Sequence, residues 1–331
     1  MKNMKRAVSS RYIWGAVAVA VVLVLIILPL AVDLGDYVLR IAVSLLVFVI
    51  LSESWNLMGG YAGQVNLGLA AYYGTGAWCY MLAYKAGAPF YVAMAVGGLA
   101  ATAMACIIGP PTLRLKGAYF GIGTMALAAV MRLIMTTTFN RTLFPPTSYW
   151  LDITVTKSYY VALAVAIATI VVAYVAVHSR LGLVLQAIRD DEDAANASGI
   201  NPAKYKMIVF MISSFLAGVA GGVFAYAAGN LNVPDQFEMN WTIGAIVAVT
   251  IGGWGTLLGP ILGSIVFVIP EELLQHTVLG DWYLVLTGVM FILVILFIPD
   301  GLTSLGAMIR RLFAPRVRKP TTSLSQHIDA P

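Results

Sequence analysis

The sequence predicts an all-α polytopic membrane protein of about ten transmembrane helices. Three observations carry that expectation. Of the 331 residues, 60% are hydrophobic and 11% are charged, where soluble domains carry roughly 25% charged residues. A soluble core of this size could not hide so much apolar surface. The apolar residues also gather in runs near the roughly 20 residues that a bilayer crossing needs. Finally, the basic residues cluster at every second break between those runs, as the positive-inside rule requires.

Taken in order, the runs fall at 13–32, 37–57, 65–84, 89–109, 117–139, 159–178, 206–228, 241–254, 258–275 and 282–299. The third, eighth and ninth are short or interrupted by glycine. Lys2, Lys5, Arg6 and Arg11 precede the first run, as in a signal peptide, but no small-x-small cleavage site follows, so a retained span is expected. With a cytoplasmic N-terminus, the inner segments hold 15 of the 20 basic residues. They are Lys2, Lys5, Arg6, Arg11, Arg114, Lys116, Arg180, Arg189, Lys204, Lys206, Arg310, Arg311, Arg316, Arg318 and Lys319. The outer segments hold Lys85, Arg141 and Lys157 and most of the acids. Both tails come out cytoplasmic, which demands an even number of crossings. The chain thus divides into a 1–12 tail, a 13–302 transmembrane domain and a 303–331 tail. The net charge of +5 implies no nucleic acid, because the basic residues sit beside membrane runs. Cys79 and Cys106 lie inside apolar stretches and are expected to be buried packing residues.

The most polar internal stretch is 180–206. Asp190, Asp191, Glu192 and Asp193 open a helical turn, where carboxylates suit the positive helix end. Ala194 and Ala195 continue it, Gly199 is placed for a left-handed cap, and Asn201-Pro202 start the next helix. A short helix across the end of the bundle is expected, with an ordinary cytosolic loop as the plain alternative.

Three other places break the span pattern. Met58–Gly76 carries six glycines, among them Gly59, Gly60 and Gly63, with Gln64 and Asn66 between them. Such backbone at membrane depth is tolerated where it lines a cavity or is buried in protein; a tight turn with a small-residue packing face is an equal reading. Gly252, Gly253, Gly255 and Gly259 make a hairpin, with Pro260 opening the next helix. Gly218 and Gly222 form a small-xxx-small pair suited to close helix approach. Arg132, inside the fifth span, should face the protein interior or a pathway, since charge in the hydrocarbon is costly. Glu53 lies near the inner end of the second span, where it could reach the interface. GGYAG at 59 and GGWGT at 252 are too short to establish an internal repeat. No GxxxxGK[ST] phosphate loop occurs, and His178, His276 and His327 are scattered, so neither nucleotide nor metal is expected on this chain.

Several of these stretches resemble one family. Asp193-Ala194-Ala195, followed by Gly199, is similar to the EAA-xxx-G loop of ABC importer permeases, with Asp in place of Glu. The longer AIRDDEDAANASGIN resembles the form found in LivM-type permeases for branched-chain amino acids. MGGYAGQVNLGLAAYYGTG resembles the family's GYxGQxSLGHAAF, with Asn66 for Ser and Leu69 for His. GGWGTLLGPILG is similar to GGxGxxxGPxxG. RLKGAYFGIGTMALAAVMRL resembles RLRGxYFAIxTLAxxEILRL, with Ala129 where the family has a carboxylate. Departures are the missing Ile-x-Leu-Pro after the loop and TLFPPTSYW in place of a Thr-Gly-Gly.

The resemblance implies a permease subunit of an ABC importer for branched-chain or other hydrophobic amino acids in a bacterial inner membrane. It implies a second permease, two ATP-binding subunits and an extracytoplasmic binding protein, with ATP bound only by the partners. It assigns Arg189, Asp190, Asp191, Glu192, Asp193, Ala194, Ala195 and Gly199 to coupling with an ATPase. Gln64, Asn66 and Arg132 are the candidate path residues. A urea or short-amide permease of the same family is the nearest alternative. An ion-coupled secondary transporter is the alternative from another class, with Glu53 as its available carboxylate.

Overall fold

The computed structural model describes residues 19–29, 31, 35–139, 142–144, 154–275, 285, 288–289, 291–293, 296 and 301–304. Most of both expected tails, most of the expected tenth span, His276, His327 and the PPTSYW segment lie outside the described residues. Nearly everything described is helical. Helix α1 is Val19–Pro29, α2 Gly35–Asn56, α3 Leu69–Lys85, α4 Phe90–Thr112 and α5 Ala118–Thr138. Helix α6 is Val155–His178, α7 Arg180–Asp190, α8 Glu192–Ala197, α9 Pro202–Ala228, α10 Met239–Gly252 and α11 Gly259–Gln275. Thr142–Leu143 and Leu231–Asn232 form a two-residue antiparallel pair, β1 and β2.

Among the described residues, five helices are long and apolar enough to cross a membrane: α2 with its extension to Tyr61, α4, α5, α6 and α9. Helix α9 is the central one. Of its most apolar stretch, 61% is buried within the protein, against 28–39% for the other four. Those four turn apolar faces outward, with Ile107, Leu99, Ile122, Leu133 and Val175 exposed, the surface that lipid requires. Cys106 lies on such a face and is exposed. A lipid-facing position and a core position are equally apolar in sequence, which is why the expectation of burial fails there.

Helices α3, α4 and α9 meet through glycine. A Cβ on Gly218 would stand 2.6 Å from the Ala101 Cβ and 2.9 Å from the Gly97 carbonyl. Gly76 and Gly221 would collide with backbone across the same seam. Gly222, by contrast, has ordinary space, 3.6 Å from Tyr80. The close-approach pair is therefore Gly218 with Gly221, one helical step from the expected Gly218 and Gly222. Helix α1 is tied to α6, where the Tyr159 hydroxyl donates to the Leu25 carbonyl at 2.8 Å and that of Tyr160 to the Ile26 carbonyl at 3.1 Å.

Between α2 and α3 the chain leaves the α-helical form. Leu57–Tyr61 is a π-turn that continues α2, and 62–68 is irregular. Helix starts leave backbone N–H groups without partners, and here side chains from elsewhere satisfy them. The Leu67 N–H donates to the Thr124 hydroxyl at 3.1 Å, that of Gly68 to the Asn66 side chain at 2.8 Å, and that of Ala70 to the Thr242 hydroxyl at 2.9 Å.

Candidate functional site

The 179–202 segment folds by local rules. Helix α6 stops at Ser179, whose hydroxyl accepts from the Leu181 N–H at 3.1 Å. Gly182 packs against the Val177 carbonyl with no room for a side chain, so the chain bends sharply into α7. Helix α7 buries Gly182, Leu185 and Ile188 on one face. It ends at Asp190, because Asp191 is extended, with φ −156° and ψ 109°. The Asp191 carboxylate accepts from the N–H groups of Asp193 and Ala194, both at 2.9 Å, and so caps α8. The four acids therefore do not open one turn together: Asp190 closes α7, Asp191 is the cap, and only Glu192 and Asp193 lie in the first turn of α8.

Helix α8 ends as its sequence implies. Gly199 has φ +85°, its N–H donates to the Asn196 carbonyl at 3.0 Å, and that of Ile200 donates to the Ala195 carbonyl at 3.1 Å. This is the paired bonding of a left-handed glycine cap. Asn201 accepts from the Lys204 N–H at 3.1 Å, and Pro202 begins α9.

Three contacts fix this short hairpin to the bundle. The Lys206 ammonium, 2% exposed, meets the Glu192 carboxylate at 2.6 Å. Lys116, in the turn between α4 and α5, meets Asp193 at 3.0 Å with both side chains in solvent. That hydrogen bond and charge from Asp193 raise the Lys116 pKa, with smaller contributions from Glu192 and Asp191. The Arg189 guanidinium donates to the Gly60 carbonyl. Ala195 is buried against the bundle, while Asp190, Asp191, Asp193, Ala194, Asn196, Ala197 and Ser198 face outward.

Arg189 sits where two glycine-rich stretches meet. Gly63, at φ +69°, lies on its methylenes, a Cβ there standing 3.0 Å from Cγ, and Gly255, at φ +67°, would place one 2.9 Å from its guanidinium. The two stretches are laced together by Asn56. Its amide donates to the Thr256 carbonyl at 2.9 Å, and its oxygen accepts from the Gly255 N–H at 2.9 Å. Gly60 has backbone of Gly255 2.6 Å from where its Cβ would be, and Trp55 meets Trp254 edge-to-face at 5.1 Å. Gly59 is covered by the Trp55 ring, Gly252 lies on Gly259, and Gly253 lies beside Thr303. All seven turn glycines singled out in the sequence thus gather at the end of the bundle that carries α7 and α8.

The path candidates do not converge. Gln64 and Asn66 are buried in the break before α3. Asn66 shapes backbone there, capping Gly68 while its carbonyl accepts from the Trp55 indole at 2.7 Å. Arg132 lies about 21 Å along α5 from its start at Ala118 at 1.5 Å per residue, toward the end opposite Lys116, and is exposed. There its guanidinium meets the Glu238 carboxylate at 2.7 Å. Glu53 does not reach an interface: it is fully buried, and neither oxygen has a hydrogen-bond partner. Asn56, one turn on, spends its amide on Thr256. Sequence reading passed over Asn56, Glu238 and the Lys206–Glu192 pair. No cluster of metal-ligating side chains occurs among the described residues.

The family described as "Branched-chain amino acid transport system / permease component" matches residues 37–295. The chain belongs to this family. Among its relatives is the high-affinity branched-chain amino acid transport system permease protein LivM of Escherichia coli, 26% identical over 317 residues, covering 86% of this chain and 73% of that protein. LivM of Salmonella typhimurium is 25% identical over 316 residues with the same coverage. BraD of Pseudomonas aeruginosa is 33% identical over 125 residues, 38% of this chain and 40% of that one. The permease is a multi-pass membrane protein and a transport component, and the glycine-laced end with its outward hairpin is a feature of that component.

Proposed function

We propose that this permease carries branched-chain or related hydrophobic amino acids as one of two permeases in an ABC importer, and that α7–α8 is where an ATPase subunit docks. The reading places ten crossings in the membrane with both tails cytoplasmic. ATP is hydrolysed on two separate subunits, and an extracytoplasmic binding protein delivers the substrate. The observation that carries it is the α7–α8 hairpin. It is capped at both ends, tied to the bundle by Arg189 and Lys206, and presents Asp190, Asp191 and Asp193 outward. A free loop needs no such anchoring; an element that transmits force does. ATPase closure moves α8, and the Arg189–Gly60 bond passes the movement to the end of α2, opening the bundle alternately to each side.

The test is ATP hydrolysis by the reconstituted complex with and without loaded binding protein. Gly199→Val forces a β-branched residue into the left-handed region, costing about 1–2 kcal/mol, and should misplace α8. Joint replacement of Asp190, Asp191 and Asp193 by Lys removes the α8 cap and the Lys116 contact and reverses the charge offered to a basic docking groove. Both variants should insert normally and lose stimulation; full stimulation in both refutes docking here. A cysteine at Ser198 should be labelled only from the cytoplasmic side, and labelling from outside in intact cells overturns the orientation.

A further inference from the structure

At the end of the bundle away from α7–α8, a cavity of about 230 Å³ opens between α2, α6 and the close of α9. Arg40, Val43 and Ser44 of α2 line it, with Val155 and Ser158 of α6 and Phe224 of α9. Arg40 has no hydrogen-bond or ion-pair partner among the described residues. It is exposed, in the second turn of α2, and a charge on an apolar membrane helix normally faces a partner, a functional cavity or the interface. Ser44 stands one turn below it on the same face of α2, and Ser158 is 2% exposed.

The lining divides by chemistry. A guanidinium is suited to a carboxylate, which it can hold through two parallel hydrogen bonds. The last residues of α9, Ala227 and Ala228, also line the cavity. Carbonyls at a helix C-terminus lack partners within the helix and carry partial negative charge, which suits an ammonium group. Val43, Val155 and Phe224 offer an apolar wall between the two. One cavity therefore sets a cation, the close of α9 and a hydrophobic face together, a combination that suits a zwitterion with an apolar side chain.

We propose that this cavity is a binding site for a single hydrophobic amino acid, with Arg40 holding its carboxylate. The proposal rests on the amino-acid reading above and adds the place and the residues. An anionic lipid headgroup offers the same guanidinium a phosphate, and the test separates the two sources.

Equilibrium binding of radiolabelled leucine is measured on the complete complex, without binding protein, in nanodiscs of phosphatidylcholine or phosphatidylglycerol. Saturable binding is expected in both lipids. Arg40→Gln should weaken it at least tenfold, Arg40→Lys less, and Val155→Trp, which fills the cavity and leaves Arg40 in place, should abolish it. Leucinamide, which lacks the carboxylate, should compete at least tenfold less well than leucine. No saturable binding in the unmodified complex, or unchanged binding in Arg40→Gln, overturns the proposal. So does leucine binding that survives Arg40→Gln while retained phosphatidylglycerol is lost, which makes Arg40 a lipid contact. Uptake separates this from failure of the parent reading: a complex that transports no branched-chain or related hydrophobic amino acid sinks both, whereas normal leucine uptake with Arg40-independent binding sinks this one alone.

Discussion

The Lys206–Glu192 pair should be strongly asymmetric to mutation. Its charges approach to 2.6 Å, with Lys206 2% and Glu192 28% exposed at the side chain. At an effective dielectric near 20, the gross attraction is roughly 6 kcal/mol, much of it offset by desolvation. The net effect of breaking the pair depends on which charge is stranded. Glu192→Ala leaves an ammonium buried without a partner, a loss of about 3–5 kcal/mol. Lys206→Met keeps the apolar stem and leaves a carboxylate that already touches solvent, so a loss nearer 1–3 kcal/mol is expected. The double variant should recover most of the Glu192→Ala loss, because no buried charge remains. Thermal unfolding of the purified complex measures this, and hydrogen exchange over residues 192–200 reports whether α8 has come loose. Equal losses from the two single changes, or a double variant worse than Glu192→Ala, would refute the reasoning.

Arg189→Gln should reduce the amino acid moved per ATP hydrolysed more than it reduces complex assembly, since its bond runs inward to Gly60; an unchanged ratio in proteoliposomes counts against the link. Gly218→Ala should destabilise the α3–α4–α9 seam by about 1–3 kcal/mol through overpacking. Gly222→Ala, with 3.6 Å of clearance, should be neutral or gain up to about 1 kcal/mol from helix propensity; shifts of the same sign in thermal unfolding would contradict the geometry. The exposed Arg132–Glu238 pair should contribute about 0–1 kcal/mol, so Arg132→Leu should barely move thermal unfolding, and a large drop would show that the pair is buried in the complex.

What the sequence made legible follows the range of the forces involved. Helix positions were readable because hydrophobicity sums over 20 residues, and observed helices such as Phe90–Thr112 and Ala118–Thr138 lie within a few residues of the expected runs. Local stops were readable because a cap is settled by neighbours: Gly199 and Asn201-Pro202 behave as their residue types require. The difference there, at Asp190 and Asp191, arises because four successive acids do not announce which one turns its carboxylate back onto the backbone. Long-range partners were not readable. Nothing near Arg132 points to Glu238, and nothing near Glu192 says that its charge is consumed by Lys206 rather than offered to a partner protein. The same holds for glycine. Gly218 and Gly222 are equivalent in a helical pattern, and only the neighbouring helices decide that one is crowded and the other is not. Composition also misplaced Cys106, because in a membrane protein the outside is as apolar as the core.

Arg189 shows how these limits bear on function. The resemblance assigns it to contact with another protein, and in this chain the exposed residue also bonds the Gly60 carbonyl of the bundle. The GGYAG and GGWGT stretches, too short to establish a repeat, meet at that side chain across Asn56, Gly60 and Gly255. Glycine is required at Gly60 because the backbone of Gly255 approaches it, and at Gly63 and Gly255 because their backbones are left-handed and lie against Arg189. A requirement shared by separated segments leaves only small residues in the two glycine-rich stretches as its trace. The acids and the arginine thus divide the work of one element: Asp191 caps α8 and Asp193 meets Lys116, while Arg189 joins the hairpin to the end of α2 through Gly60.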